Sequence, residues 1–89
     1  MMRFFAYILV NPQGRYYIGH SSDPQSRLGR HNEGKVFWTR SHRPWDVAYV
    51  EEFATRSLAM AREKQLKRLK SKEALAKICL SGRVPTSRD

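Results

Sequence analysis

Four residues, Asn11-Pro12-Gln13-Gly14, constrain this chain more than any others, because they fix the register of the two aromatic segments on either side. Asn at the first position, Pro at the second and Gly at the fourth fit a type I turn. Gly14 can then take the left-handed conformation and close a three-residue hairpin loop with a bulge. In that register Asn11 faces Arg15, Leu9 faces Tyr17 and Tyr7 faces Gly19. Directly opposed residues share a face of the hairpin. Tyr7 and Tyr17 therefore point the same way as diagonal neighbours, and Gly19 leaves room beside the Tyr7 phenol. A two-residue loop would put the two tyrosines on opposite faces.

Residues 3–10 are apolar on both faces, as a central strand requires, and residues 15–20 form its partner. Ser22 or Asp23 can cap a helix with Pro24 in its first turn. That helix runs to about Asn32, and Gly34 helps to stop it. Residues 34–45 make a loop that is both basic and aromatic. A third strand spans 46–53. Thr55 caps a longer helix to about Leu69, with Leu58, Ala59, Ala61, Leu66 and Leu69 as its inward stripe. Ser71 caps a last helix that ends at Gly82, and residues 83–89 read as a flexible tail. The expectation is a single α+β domain over residues 1–82. It has a small three-stranded antiparallel sheet flanked by helices in the order β-β-α-β-α-α.

The 17 Lys and Arg outnumber the 8 Asp and Glu among the 89 residues, a net charge of +9. Such a surface attracts polyanions, nucleic acid first among them. Cys79 is the only cysteine, which excludes an intrachain disulfide and a cysteine zinc cluster. It reads as a small apolar residue of the last helix, and a reducing cytoplasm is the expected compartment. No apolar run approaches a membrane span. The opening Met1-Met2-Arg3-Phe4-Phe5 is too short for a secretion signal and reads as the first strand.

Two places carry chemistry. In the first helix Leu28 is the only large aliphatic residue, while Arg27 and His31, four apart, share a face. An arginine fork suits phosphate oxygens, and a histidine can move a proton near neutral pH. In the longer helix Glu63 lies four residues from Ala59 and three from Leu66, at the border of the buried stripe. A carboxylate there wants a partner. That partner is Arg27 or a helix lysine in a salt bridge, or else a hydrated Mg²⁺. Glu51, Glu52 and Glu73 lack comparable apolar flanking, which favours one metal over two.

With these residues in view, the chain resembles the GIY-YIG endonuclease superfamily, and most closely its small stand-alone bacterial members. The resemblance covers residues 4–80. Phe5-Ala6-Tyr7 stands at the Gly-Ile-Tyr motif, keeping only its tyrosine, and Tyr17-Ile18-Gly19 matches the second motif fully. The helix arginine falls on Arg27, the following histidine on His31, and the metal-binding glutamate on Glu63 within Ala61-Arg62-Glu63-Lys64. Arg43-Pro44-Trp45, Tyr49 and Glu51-Glu52-Phe53 also look like the stand-alone members. No asparagine follows Glu63, where some members carry one.

The resemblance implies a metal-dependent endonuclease acting on DNA, selective for structure, in repair or recombination. Glu63 would hold one divalent cation, Mg²⁺ or Mn²⁺, and Arg27 a phosphate oxygen. Tyr7, its phenolate favoured by Arg27, would be the general base, and Tyr17 would position the water or the phosphate. His31 would relay the proton or bind phosphate. His20 and His42 read as exposed loop histidines without a role. Gly19, Lys35, Trp38, Arg40 and Arg43, with the basic helix faces, would meet the substrate. Trp38 is available for stacking, and Trp45 is core. Without an attached recognition domain, branches, flaps or nicks are the expected targets, unless a protein partner or a homodimer supplies specificity. The alternatives are a non-catalytic basic module that binds nucleic acid and an accessory protein whose helices dock on a partner.

Overall fold

The computed structural model describes residues 3–69 and 71–81. The expected end of the last helix at Gly82 and the expected tail, residues 83–89, lie outside the described residues. In chain order the elements are β1 (Phe4–Val10), β2 (Tyr16–Ser21), α1 (Pro24–Asn32), a short 3₁₀ turn (Arg40–His42), β3 (Asp46–Phe53), α2 (Arg56–Leu69) and α3 (Lys72–Ser81).

The hairpin forms as its turn chemistry predicts. Gly14 has φ of 81°. Its N–H donates to the Asn11 carbonyl at 2.9 Å, and the Asn11 N–H donates to the Arg15 carbonyl at 3.1 Å. The buried Asn11 side chain does further work. Its Oδ1 accepts from the backbone of Gln13 and Arg15, and its Nδ2 donates to the His42 carbonyl at 3.1 Å. One turn residue thus closes the hairpin and ties down the 3₁₀ turn. The register is Leu9 opposite Tyr17 and Tyr7 opposite Gly19.

β3 pairs antiparallel with the other edge of β1, so the strand order is β2-β1-β3. The central position of β1 accounts for its apolar residues on both faces. On one face Ile8, Ile18 and Tyr49 meet Leu66 of α2 and Leu75 of α3. Cys79 packs partly buried against this cluster, and burial pushes its thiol up. On the other face Tyr7, Leu9 and Trp45 form a second cluster with Tyr17 and Leu28. Each helix carries the expected cap. Asp23 accepts from the Ser26 N–H, Thr55 from the Leu58 N–H and Ser71 from the Ala74 N–H.

The inward stripe of α2 is narrower than the sequence suggests. Ala59 and Leu66 are buried, but Ala61 is exposed, Leu58 is 51% exposed and Leu69 41%. Positions 59, 62, 63 and 66 share one helical face. Leu58 sits about 100° round the helix from Ala59. The face that meets the sheet is therefore half charged, with Arg62 and Glu63 between two apolar residues.

The opposition of Tyr7 and Gly19 is tight. A Cβ on Gly19 would lie 2.7 Å from the Tyr7 Oη and 2.9 Å from its Cζ. Gly19→Ala is expected to displace the ring and to destabilise the fold by about 1–3 kcal/mol, the usual range for overpacking. Shifted Tyr7 ring resonances in NMR and a lower urea midpoint would register both effects. Leu66→Ala should cost about 2–5 kcal/mol, whereas Leu58→Ala should stay within about 0.5 kcal/mol. Comparable losses for the two leucines would contradict this placement of α2.

Candidate active site

The site begins with the Tyr7 hydroxyl. Tyr7 is only 1% exposed, and its Oη lies over Gly19. A buried phenol must place its proton. The ring nitrogen Nε2 of His31 is 3.5 Å away, and His31 Nδ1 lies 2.7 Å from Thr39 Oγ1. Thr39 donates its single hydroxyl proton to the Val36 carbonyl at 3.4 Å. We therefore assign the His31 proton to Nδ1, which donates to Thr39, and leave Nε2 to accept from Tyr7. The other tautomer would leave the Tyr7 proton without an acceptor among the described residues, because Arg27 can only donate.

His31 is 0% exposed and remains neutral to low pH. Burial, followed by the Arg27 charge, lowers its pKa to about 4. Direct phosphate binding by His31, one of its two expected roles, does not fit a side chain sealed from solvent and uncharged at neutrality. Its place in α1 explains why that helix has so little aliphatic content: the residue it buries most completely is the histidine.

Tyr17 packs edge-on against His31 with ring centroids 4.8 Å apart and also contacts Trp45 at 6.4 Å. Trp45 is core, and its indole Nε1 donates to the Thr39 carbonyl at 2.9 Å. The loop residue Thr39 is therefore fixed from two sides. Tyr17 stays half exposed, so of the two phenols it is the one open to solvent.

The Arg27 guanidinium beside Tyr7 favours its charged form. Even so, the phenol is pushed above its usual 10. Burial is the largest influence and outweighs the arginine, and the charges of Tyr17 and Glu63 add smaller upward pushes. The expected stabilisation of a Tyr7 phenolate is therefore reversed. The sequence showed the nearby arginine but not the depth at which the ring lies.

Glu63 projects from α2 on the other face of the sheet. The register places Ala6 opposite His20 and Tyr7 opposite Gly19, so His20 and Tyr7 lie on opposite faces of the sheet. Glu63 Oε1 is 2.5 Å from His20 Nδ1, and Oε2 is 2.7 Å from Lys67 Nζ. Burial pushes the carboxyl up. Lys67 and then His20 more than offset it, so its pKa lies below the usual carboxylate value and Glu63 is ionised at neutrality. The helix lysine expected as its partner is Lys67. His20 is a strand residue, half-buried and engaged, not an exposed loop histidine. Its position in β2, two residues after Ile18 on the α2 face, was the available signal.

Among the described residues no group of three or more His, Cys, Asp or Glu could hold a metal ion. A hard divalent ion that keeps most of its water needs only one or two carboxylates. Glu63 fits that demand as an ionised oxygen donor. Lys67, 56% exposed along its side chain, can move aside for an ion.

A second polar cluster on the same face went unread in the sequence. Glu51 Oε1 accepts from the Tyr49 hydroxyl at 2.9 Å and pairs with Arg62 Nε at 3.0 Å. It satisfies the charges that α2 lays against the sheet. Of the substrate-contact candidates, Gly19 is buried in β2 against the Tyr7 ring, and the others lie apart from this cluster, on the loop after α1. Lys35 is exposed and pairs with Glu33 at 3.3 Å. Trp38 is 75% exposed and packs edge-on against Phe37, over which Arg40 lies at 4.9 Å. Arg43 is exposed and lies back along the loop, donating from Nε to the Arg40 carbonyl at 2.7 Å and from Nη1 to the Asn32 carbonyl. His42 is half-buried in the 3₁₀ turn, its carbonyl taken by Asn11.

Comparison with known proteins bears on what this geometry serves. A family model described as the GIY-YIG catalytic domain matches residues 3–77. The chain is similar to a UPF0213 protein of Streptococcus pneumoniae, 40% identical over 67 residues that cover 74% of this chain and 68% of that one. It is also similar to a UPF0213 protein of Halobacterium salinarum, 38% identical over 72 residues that cover 78% of this chain and 94% of the relative. The solution NMR structure of a UPF0213 protein from Bacillus halodurans aligns with a TM-score of 0.56 and 28% identity, over 91% of this chain and 87% of that one. The family match runs from the first strand into α3 and takes in both tyrosines, the helix arginine and histidine, and the glutamate, so the chain belongs to the GIY-YIG family of nuclease domains.

Proposed function

We propose that this protein is a divalent-metal-dependent endonuclease that hydrolyses phosphodiester bonds in DNA, acting on branched, flapped or nicked structures in repair or recombination. The single observation that carries the reading is convergence. Tyr7 and Tyr17 meet around the buried His31 with the Arg27 charge beside them, and Glu63 stands with His20 on the other face of the edge strand β2. Family membership supports the reaction class.

Arg27 would grip a non-bridging phosphate oxygen and favour the charge that develops there. The half-exposed Tyr17 would orient the attacking water. Once substrate binding admits that water to the buried Tyr7 oxygen, Tyr7 would take its proton while its own hydroxyl proton passes to Nε2 of His31. A buried phenol hydrogen-bonded to a neutral imidazole can do this without first becoming a phenolate. Thr39 would keep the imidazole in the accepting tautomer throughout. Glu63 would hold Mg²⁺ or Mn²⁺, which when bound supplies Lewis-acid stabilisation of charge on the phosphate oxygens.

Substrate selectivity for exposed bases is supported by Trp38 and Phe37, which stand out from a loop carrying Lys35 and Arg40. Stacking contributes about 1–3 kcal/mol per unstacked base. Among the described residues no helix is long and apolar enough to cross a membrane, and we place the enzyme in the cytoplasm. A second reading, docking on a protein partner, is favoured by one observation: Leu58, Met60 and Leu69 of α2 are exposed.

The test is cleavage of labelled single-stranded, duplex, flap and branched DNA and matched RNA, with and without Mn²⁺. Wild type, Glu63→Ala and Tyr7→Phe would be compared. Metal-dependent cutting of branched or flapped DNA is expected from wild type. Loss in Glu63→Ala, and a fall of about 10²–10⁴-fold in Tyr7→Phe, should follow if the phenol moves a proton. Binding without cutting by wild type would leave a non-catalytic module, and equal cutting by all three would rule out this site.

A further inference from the structure

A groove of about 750 Å³ opens on the α2–α3 side of the sheet, apart from the aromatic centre around His31. Its charged lining is entirely basic. Arg15 stands just before β2, Lys67 near the end of α2 and Lys72 at the start of α3, and His42 joins them from the 3₁₀ turn. No acidic residue lines it. Among the described residues neither Arg15 nor Lys72 has a carboxylate within salt-bridge distance.

The groove is continuous with the candidate centre by two routes. Lys67 lines it and also holds Glu63. Tyr16 and Ile18 line it from β2, and His20, two residues further on the same face, holds the other Glu63 oxygen. From Tyr16 to His20 the strand advances about 13 Å. That is the axial length of about four nucleotides of one duplex strand.

We propose that this groove is a backbone track, which takes the phosphates of the nucleic-acid strand flanking the scissile bond and leads them to Glu63. The proposal rests on the nuclease reading and adds a surface and a direction to it. The substrate would lie across the β2 edge, its bases meeting the Trp38 loop and its flanking phosphates entering between β2 and the α2–α3 junction. Arg15 and Lys72 carry the contact furthest from the chemistry, and neither is placed in the catalytic machinery.

Binding of a fluorescently labelled short DNA duplex would be measured in EDTA across a salt titration. Wild type would be compared with the double variant Arg15→Ala/Lys72→Ala and with a charge-matched control, Lys64→Ala/Arg68→Ala, on exposed positions of α2. Removing two phosphate contacts should lower the slope of log K against log salt by about two, at roughly 0.9 per contact. The control should change it by less than half as much. The groove variant should need more DNA for half-maximal cutting in Mn²⁺, in proportion to its weaker binding. Equal slope changes in the two double variants, or no change in the groove variant, would overturn the proposal. Binding in EDTA needs no cleavage. A reduced slope without any cutting would therefore sink the nuclease reading alone, and cutting with an unchanged slope would sink the track alone.

Discussion

A buried phenol that must place its proton is the constraint on which the rest of this structure depends. Tyr7 lies on the central strand with almost no exposure, and His31 Nε2 is the acceptor in reach. An unpaired hydroxyl at that depth would cost about 1–3 kcal/mol. Much else follows from that need. Gly19 must lack a side chain so that the ring can lie across β2. The first helix must bury a histidine where an ordinary amphipathic helix would bury a leucine. Thr39 must be held in place to receive Nδ1, and the Trp45 indole holds its carbonyl. An irregular loop is thus tied to the strand through a proton.

The sheet acts as a partition. The aromatic centre lies on the α1 face, while Glu63, His20 and Lys67 lie on the α2 face, and the two groups approach across the edge strand β2. An edge strand with a glycine opposite the phenol lets charge on one face act on a group on the other. The arrangement also separates two electrostatic regimes. The α1 side holds the sealed, neutral Tyr7 and His31 with the Arg27 charge beside them, suited to moving a proton, whereas the α2 side holds the ionised Glu63 and Lys67, suited to a cation and to phosphate. Each regime would be disturbed by the other's solvent access.

The sequence made the hairpin legible because turn residues act locally. Asn11, Pro12 and Gly14 specify a loop type, the loop type sets a register, and the register decides that Tyr7 and Tyr17 share a face. Caps at Asp23, Thr55 and Ser71 are local in the same way. What stayed hidden depends on depth and on partners distant in sequence. Leu58 and Leu66 are both leucines of one helix, and only the line of contact with the sheet separates the buried one from the exposed one. His20 takes its meaning from a glutamate 43 residues away. The direction of the Tyr7 shift turned on whether burial or Arg27 prevailed. The sequence named both influences but could not weigh them.

The protonation of His31 is the most direct measurement of this account. Long-range ¹H–¹⁵N NMR of the two ring nitrogens, followed from neutral pH downward, reads tautomer and charge together. The account predicts a neutral ring with its proton on Nδ1 and Nε2 as acceptor, charging only as the pH approaches about 4. An imidazolium at neutral pH, or a proton on Nε2, would contradict it, because Tyr7 would then have no base to give its proton to.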